Sequence, residues 1–530
     1  MHRRHKGSTA LSSPLMQRCL AKAKAFLKEE DGVMAAPTCF TVLAMVAIGG
    51  IGIDLMRMER DRTNLQYTLD RAVLAAADLD QTLAADAVVL DYLTKVGLEQ
   101  YYSNPIDSES LGYKSVEATI NTDFDALWLN FSGVSSLPIY ANSRAEESID
   151  GVEISMVLDV SGSMTRNSRL TNLKVAAKDF VDTMVANTTD GKMSISIVPY
   201  ATQVSAPEEL LDQYNLDRLH TYSNCVNFSA SDFNSAGLST SASLEQTMQF
   251  SPWDRWDDRP GLVGSPVCEE HAHREMMLLQ KDATALKGFI DGLVGRGNTS
   301  IDIGMKWGTA LLDPSARPAI SALSSGAGAI IPSDFSARPS AYTDTDTVKV
   351  IVLMTDGQNT SQYYVENDHR EGDSNVWYDA ASGVYSTLNP STGKFRRDGY
   401  SYWHNTPKGG DNAERLTNVD LFAKTPLKYL YYNLFGDWMG ISAARSEWYY
   451  GVYDYHGNST KNARTRSICQ AAKDQGIIVY TIGFEAPSDG VAVLQDCASS
   501  DAHYFDVDGL EISDAFASIA TSIRQLRLTQ

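Results

Sequence analysis

The apolar stretch Ile154–Leu158 ends in the sequence Asp-Val-Ser-Gly-Ser at residues 159–163, and this junction restricts the possible folds more than any other part of the chain. The carboxylate of Asp159 and the hydroxyls of Ser161 and Ser163 leave a buried strand together and face a common point. Mg²⁺ prefers hard oxygen ligands in a near-octahedral arrangement. The junction therefore predicts a Mg²⁺ site at the end of a strand, although Asp, Ser and Gly are also ordinary turn residues.

Two later segments supply further oxygen ligands. Thr299 lies in a Gly-Asn-Thr-Ser sequence before a helical stretch, and Asp356 follows a second apolar strand, Val350–Met354. With the first junction, these segments resemble the metal-ion-dependent adhesion site of von Willebrand factor A domains, from about Glu153 to the C-terminus. The resemblance implies that an acidic residue of a protein partner completes the coordination. It also implies Mg²⁺ as the metal, with Mn²⁺ or Ca²⁺ as substitutes, and five ligands: Asp159, Ser161, Ser163, Thr299 and Asp356.

The pattern after residue 150 alternates between strands and helices, which predicts an α/β domain with a doubly wound, mainly parallel sheet. Strands are predicted at residues 153–160, 192–200, 348–354, 477–484 and 503–507. Helices are predicted at residues 169–186, 281–294, 301–312, 465–475, 490–497 and 512–526. We assign residues 151–530 to this von Willebrand A-type domain, with insertions at about 201–280 and 358–464. In such sheets ligands bind beyond the carboxyl ends of the strands, where the strand order reverses.

A membrane-spanning helix is predicted before this domain. Residues 32–53 contain no charged side chain, whereas residues 1–30 carry seven Lys and Arg residues against two Glu residues. A helix of this length, at ~1.5 Å per residue, spans the ~30 Å hydrocarbon core of a bilayer. The excess of basic residues places the N-terminus in the cytoplasm. We therefore predict a cytoplasmic basic head at residues 1–31, a single transmembrane helix at 32–54, and all later residues outside the cytoplasm.

Residues 55–150 are predicted to form a helical stalk and a small α+β neck. Apolar side chains recur with heptad spacing at Leu65, Leu69, Ala72, Ala76, Leu79 and Leu83. This seam is typical either of helix-mediated self-association or of one amphipathic helix that packs on its own domain. Alternating side chains at residues 116–121 and 126–131 predict two strands of the neck, and residues 138–148 predict another.

The segment from Gly32 to Asp80 is similar to the pilin-like N-terminal region of TadG-like proteins of Flp (tight-adherence) pilus assembly. This region includes Gly-Ile-Asp-Leu-Met-Arg at residues 52–57. The resemblance implies a bacterial inner-membrane protein with a periplasmic main domain and with pilus or envelope components as partners. Pilin-like precursors are often cleaved after a glycine that is followed five residues later by glutamate, but Pro37 stands at that distance from Gly32. We expect the segment to remain as an anchor.

The cysteines agree with an oxidising compartment. Four of the six lie beyond the predicted membrane helix: Cys225, Cys268, Cys469 and Cys497. Four cysteines permit three pairings. Local pairing, Cys225 with Cys268 and Cys469 with Cys497, is the simplest, and buried free thiols are the alternative. Disulfide loops of these lengths each contribute ~3–4 kcal/mol to stability when unstrained.

The insertion at residues 358–464 is rich in Tyr and Trp, which favour wet contact surfaces. It begins directly after Asp356, so its base must border the metal. The aromatic side chains predict either a recognition surface for protein or glycan, or a small core of the insertion itself.

Composition and motifs restrict the function. The net charge is −21 and no basic patch stands out, which argues against a nucleic-acid partner. The sequence contains no G-x-x-x-x-G-K-[ST], G-x-S-x-G or H-E-x-x-H motif. We predict a non-enzymatic, metal-dependent adhesion or protein-binding module. The alternative is a minor pseudopilin-like structural component. A metal-assisted hydrolase is the least favoured hypothesis, because a hydroxyl-rich site offers no evident general base.

Overall fold

The structure is a computed structural model, and its chain forms two compact units. The N-terminal unit consists mainly of residues 1–147 and the C-terminal unit mainly of residues 148–525. Most of the predicted basic head, Gly32 and Leu79 lie outside the described residues. The structure describes residues 18, 21–25, 34–78, 81, 83–102, 106–110, 113–148, 151–186, 188, 190–253, 262–271, 273–326, 328–344 and 347–523.

The N-terminal unit combines one long helix with a short helix and a small sheet. Helix α1, Ala35–Ala77, is 43 residues long. Within the described residues it is the one helix that is long and apolar enough to cross a membrane. Helix α2 follows at Ala85–Thr94. A three-stranded sheet has the order β1-β2-β3, where the strands are Ile106–Ser110, Tyr113–Asp125 and Ser136–Ser148.

The heptad seam of α1 packs within this unit. Leu65, Leu69, Ala72 and Ala76 are buried in an apolar core that includes Val88 of α2 together with Val116 and Ile139 of the sheet. Leu83, the last seam position, is exposed. The structure thus favours an amphipathic helix that packs on its own domain, the second of the two interpretations of the seam.

The predicted strand at residues 126–131 is wrong. Strand β2 already ends at Asp125, and a 3₁₀ turn at Leu129–Ser132 lies between β2 and β3. The backbone N–H groups of Trp128 and Leu129 donate to the carboxylate of Asp54 on α1, over 2.6 and 2.9 Å. These amides are therefore not available to a strand ladder, and the alternating side chains belong to the tip of a hairpin.

The C-terminal unit is built on a six-stranded sheet with the order β9-β8-β7-β4-β5-β6. Its strands are β4, Gly151–Asp159; β5, Met193–Tyr200; β6, Met277–Gln280; β7, Thr347–Thr355; β8, Ile478–Phe484; and β9, Tyr504–Val507. All neighbours pair in parallel except β5 with β6. The strand order reverses between β4 and β7, as it does in doubly wound sheets. This topology confirms the predicted fold class.

Helices cover both faces of the sheet. One core lies between the sheet and helices α3, α4 and α8, with Phe180, Ile290 and Phe516 as contacts. The core on the opposite face contains residues of α5, α6 and α7. The helices are α3, Arg169–Ala186; α4, Ala283–Gly292; α5, Ile301–Ala310; α6, Asn458–Asp474; α7, Ser488–Cys497; and α8, Glu511–Ile523. The near-continuous burial of β4 and β5 follows from this covering of both faces.

The described residues of the two insertions share an apolar core. Met248 and Phe250 of the first insertion pack with Val376, Leu416 and Trp448 of the second. Strands of the first insertion lie at Asn215–Leu216, Val226–Asn227 and Ser243–Gln246. Strands of the second lie at Gln362–Val365, Asp373–Asp379, Val384–Asn389, Lys394–Arg397, Trp403–His404, Glu414–Thr417 and Tyr453–His456. Short helices of the insertions lie at Glu208–Leu211, Asn418–Lys424, Leu427–Tyr429, Gly436–Met439 and Ile441–Arg445. A further short helix, Arg317–Leu323, lies between α5 and β7.

The two insertions differ from the predicted bounds at their ends. The last four residues of the predicted first insertion form β6, the antiparallel edge strand of the main sheet. Helix α6 begins at Asn458, inside the predicted second insertion. The local disulfide pairing is present: Cys225 is bonded to Cys268 and Cys469 to Cys497.

Candidate metal centre

Three loops meet at the point where the strand order of the sheet reverses. Strands β4 and β7 are neighbours, with Leu158 opposite Met354, so the acids that end them lie at the same edge of the sheet. The N–H of Gly162 donates to the carbonyl of Gly297 over 3.0 Å, which joins the first loop to the loop that carries Thr299. All five predicted ligands therefore lie on loops that contact one another.

A glycine makes the approach of the Thr299 loop possible. Gly297 has a φ of +85°, and a Cβ at this position would lie 2.8 Å from Oγ1 of Thr202. The same Oγ1 accepts the N–H of Asn298 over 2.8 Å. A side chain at Gly297 would combine a strained left-handed backbone with loss of this contact. The Thr299 loop is thus fixed against the end of β5.

Three of the five proposed ligand oxygens lie at distances that are compatible with a shared Mg²⁺ ion. Oγ of Ser161 lies 3.0 Å from Oγ of Ser163, and the Ser163 hydroxyl donates to Oδ1 of Asp356 over 2.7 Å. Adjacent ligands of an octahedral Mg²⁺ with bonds of ~2.1 Å lie ~3.0 Å apart. Oγ1 of Thr299 lies 3.8 Å from where a Cβ on Gly357 would be, next to Asp356. The donor set consists of hard oxygens and fits Mg²⁺.

The other common types of metal site are not found in the described part of the chain. There, no group of three or more His, Cys, Asp and Glu side chains could hold a metal ion. The loops that follow β4 and β7 instead combine two carboxylates, Asp159 and Asp356, with hydroxyls, and they are the candidate metal centre.

Asp159 is held in one orientation. It is fully buried, its Oδ1 accepts the N–H of Ser161 over 2.7 Å, and its Oδ2 accepts the hydroxyl of Thr355 over 2.6 Å. Burial, and then the nearby carboxylate of Asp356, raises the pKa of Asp159 to about 7. A cation bound beside the two carboxylates would favour the ionised form, because an opposite charge at short range stabilises it.

Arg169 pairs with one of the predicted ligands, and the sequence analysis missed it. Nη1 of Arg169 donates to Oδ2 of Asp356 over 2.7 Å, and its Nη2 lies 2.8 Å from Oε2 of Glu485. Arg169 is the first residue of α3. A cation at a helix N-terminus is unfavourable to the helix dipole. The position of Arg169 at the start of a helix therefore indicates that an acidic side chain from another part of the chain compensates its charge.

Both ends of the second insertion support the loop of Thr299. At the start of the insertion, the hydroxyl of Thr360 accepts the N–H of Thr299 over 2.8 Å. At its end, Nζ of Lys461 donates to the carbonyls of Thr299 and Thr360 over 2.9 and 2.8 Å. Lys461 is fully buried, and burial lowers its pKa to about 8. The predicted border between the insertion and the candidate metal centre is thus present as direct hydrogen bonds.

Comparison with known proteins agrees with the sequence resemblance at the N-terminus. Residues 32–79 match the family model "Putative Flp pilus-assembly TadE/G-like". No curated protein is similar to the chain.

Several solved structures of pilus proteins resemble the chain at low similarity, and none of them carries the fold assignment, which rests on the strand order. The von Willebrand factor domain of the type V pili tip protein Mfa5 from Porphyromonas gingivalis has a TM-score of 0.31 and 16% identity, covering 70% of this chain and 95% of that chain. The pilus adhesin SpaC from Lactobacillus rhamnosus GG has a TM-score of 0.31 and 13% identity, covering 79% of this chain and 34% of that chain. The adhesive tip pilin GBS104 from Group B Streptococcus agalactiae has a TM-score of 0.29 and 13% identity, covering 70% of this chain and 100% of that chain.

The family match includes the apolar part of α1 and its seam as far as Ala77, and it confirms the TadG-like resemblance. Within residues 32–79, the chain is similar to the putative Flp pilus-assembly TadE/G-like family.

Proposed function

We propose that the protein is a membrane-anchored, extracytoplasmic module that binds a protein partner through a divalent metal ion in Flp-type pilus assembly or surface adhesion. The observation that carries this proposal is the meeting of Ser161, Ser163 and Asp356, with oxygens 2.7–3.0 Å apart, at the reversal point of the sheet. This is the position at which doubly wound sheets bind their ligands.

The metal would be held by Asp159, Ser161, Ser163, Thr299 and Asp356, some of them through water. Mg²⁺, or Mn²⁺ or Ca²⁺ in its place, would supply a Lewis-acidic position for a carboxylate oxygen of the partner. The resemblance to von Willebrand factor A domains implies an Asp or Glu side chain of the partner as the sixth ligand, and a carboxylate oxygen is a hard ligand of the kind that Mg²⁺ prefers.

The proposed function is not enzymatic. Hydrolysis at such a site requires a group that removes a proton from water. Asp159 accepts two hydrogen bonds in a buried position, and Asp356 is bonded to Ser163 and Arg169. In the proposed site both carboxylates would bind the cation, which would leave neither of them as a general base.

The second insertion would enlarge the contact with the partner. Its two ends are bonded to the Thr299 loop, and its side chains Tyr402, Tyr432 and Tyr450 are exposed. Exposed tyrosines give large contact area at low cost in conformational entropy. Other aromatic residues of the insertion, such as Tyr385 and Trp448, form its core. The insertion thus forms a core of its own, and we propose that its exposed tyrosines form the recognition surface.

The membrane helix would hold this module in the bacterial inner membrane, with the N-terminus in the cytoplasm and the main domain in the periplasm. This topology rests on the excess of basic residues before residue 32 and on the length of the apolar part of α1.

Capture of partners from envelope extracts tests the proposal. We expect the full chain to retain pilus or envelope proteins in Mg²⁺ and to release them in EDTA. The variant Asp159→Asn should capture nothing in either buffer. The control variant Asp506→Ala removes an exposed carboxylate from the edge strand β9 and should behave as the wild type. Equal capture by wild type and Asp159→Asn in Mg²⁺ would contradict metal-dependent binding.

A further inference from the structure

The hairpin between β2 and β3 ends in an exposed apolar tip, which we define as residues 127–134. No residue from Ala126 to Ser143 is charged. Within the tip, the side chains of Leu127 and Phe131 are 61% and 88% exposed, and Trp128 is 37% exposed. Large apolar groups rarely cluster on a surface in contact with water. Such a cluster indicates a partner of low polarity.

The tip contacts α1 at one position along the helix, around Gly50 and Asp54. The carboxylate of Asp54 accepts the N–H groups of Trp128 and Leu129 over 2.6 and 2.9 Å. One turn earlier, a Cβ at Gly50 would lie 2.4 Å from Cδ2 of Trp128, so the indole ring lies directly on the helix backbone. Asp54 and Gly50 are both buried at this contact, whereas the apolar side chains Phe40, Leu43 and Ile48 of the same helix are exposed.

The position of this contact along α1 coincides with the end of the predicted membrane-spanning segment. Asp54 is the first charged residue after the apolar stretch of residues 32–53. The nineteen residues of α1 before it cover ~29 Å, close to the thickness of the hydrocarbon core. On the outer side, Arg57 lies 3.6 Å from Asp54 and its guanidinium group stands over the ring of Phe124. Polar and aromatic groups at this height are typical of the membrane–water interface.

We propose that the tip inserts into the interface of the lipid bilayer on the extracytoplasmic side, as a second membrane contact beside α1. The occupant of the apolar surface is thus the lipid interface, because Trp128 of the tip packs on Gly50 within the uncharged stretch of residues 32–53, and the tip itself carries no charged residue. Trp128 and Phe131 serve as the interfacial aromatic residues. Insertion at two points restricts the tilt of the N-terminal unit relative to the membrane. This inference rests on the proposed membrane anchor.

Depth-dependent quenching tests the inference on the full chain. A background with Cys19→Ser and Cys39→Ser leaves only disulfide-bonded cysteines and permits single labelling with the fluorophore NBD. The probe sites are Phe131→Cys at the tip, Ile48→Cys on the exposed face of α1, and Arg144→Cys on β3. Arg144 is exposed and lies ~26 Å along the strand from the tip, at ~3.3 Å per residue. The protein is reconstituted into phosphatidylethanolamine–phosphatidylglycerol vesicles with and without lipids that carry a nitroxide at carbon 5.

We expect the nitroxide lipids to reduce the emission at positions 48 and 131, and aqueous iodide to reduce it only at position 144. Because Phe131 is exposed and outside every core, its replacement should not affect folding. Quenching at position 48 with iodide quenching at position 131 would overturn the inference and leave the anchor in place. Absence of lipid quenching at position 48 would overturn the anchor and the inference together. Equal lipid quenching at positions 131 and 144 would contradict insertion of the tip alone.

Discussion

Two carboxylates and one arginine set the charge balance of the candidate metal centre. Arg169 neutralises Asp356 from one side and is itself held by Glu485. Glu485 follows β8 directly and has a φ of +53°, a conformation that costs energy for a residue other than glycine. The backbone of Glu485 is thus strained at the position where its side chain binds Arg169. A bound metal ion and Arg169 would share Asp356, so the arginine should weaken metal binding while it stabilises the metal-free protein.

The variant Arg169→Gln tests this competition. Loss of the guanidinium leaves the buried Asp356 without its cation, which should lower the free energy of unfolding of the metal-free protein by about 3 kcal/mol. Mg²⁺ should then raise the melting temperature of this variant more than that of the wild type. Arg166→Gln, a change of an exposed arginine in the same loop, is the control. A smaller Mg²⁺ response in Arg169→Gln than in the wild type would mean that the arginine assists metal binding instead.

Three glycines of α1 differ in what surrounds them. A Cβ on Gly50 would lie 2.4 Å from Trp128, whereas Gly49 and Gly52 have nothing within 4 Å. Alanine is favoured over glycine in helices by up to ~1 kcal/mol. We expect Gly49→Ala to be neutral or stabilising and Gly50→Ala to destabilise the N-terminal unit by ~1–3 kcal/mol through overpacking. Thermal unfolding in detergent measures the difference, and equal effects of the two substitutions would contradict the contact.

The strand Tyr453–His456 contains a histidine that should make the second insertion sensitive to acid. It pairs with Gln362–Val365, and the ring of His456 packs on Tyr364 with centroids 4.8 Å apart. Burial, followed by the charges of Arg464 and Lys461, lowers the pKa of His456 to about 4. Its Nε2 lies 3.1 Å from Nη2 of Arg464 and can accept that donor only in the neutral form.

The sign of this effect follows from proton binding. Between about pH 6.5 and pH 4 the unfolded chain binds a proton at this histidine that the folded chain does not, so stability is lost as the pH falls through this range. The variant His456→Gln should lose less stability than the wild type between these two pH values, whatever its stability at pH 7. Denaturant titrations at both values measure this, with His271→Gln, a change of an exposed histidine, as the control. A wild-type slope that persists in His456→Gln would assign the acid sensitivity to other groups.

The central strands of the sheet could be predicted because they are buried on both faces and therefore form continuous apolar runs. Strand β6 could not, since it has four residues and pairs with β5 through an irregular register. Residues 126–131 alternate like a strand, but the distant carboxylate of Asp54 accepts the amides of Trp128 and Leu129. Hydrogen bonds between residues that are far apart in the sequence cannot be predicted from a local pattern.

The proximity of the five proposed ligands could be predicted because each follows a strand or precedes a helix. Their supports could not, because they come from distant parts of the chain. Arg169 is separated from Glu485 by 316 residues, and Lys461 from Thr299 by 162 residues. These contacts depend on how the loops of neighbouring strands approach one another, which follows from the tertiary fold.

If α1 anchors the protein as proposed, all residues after α1 lie outside the cytoplasm. A reporter enzyme fused after Asp80 should be active only if it requires an oxidising, extracytoplasmic compartment, because the basic head holds the N-terminus inside. The two disulfides of the C-terminal unit are consistent with such a compartment. A matched fusion before residue 32 should give the opposite result. Activity of the fusion after Asp80 in the cytoplasm would reverse the proposed topology.

Divalent-metal binding by the full chain is the most direct test of the proposed function. Calorimetric titration of Mg²⁺ should show one site in the wild type, a weaker site in Thr299→Ala, and none in Asp159→Asn, which keeps the shape of the side chain but removes its charge. At a hundredfold excess of Mg²⁺ over Kd, the wild type should gain about 2.7 kcal/mol of stability, and Asp159→Asn should gain nothing. If the wild type shows neither heat of binding nor a shift in melting at millimolar Mg²⁺ or Mn²⁺, the five residues are turn and cap residues of a doubly wound sheet, and metal-dependent adhesion is contradicted.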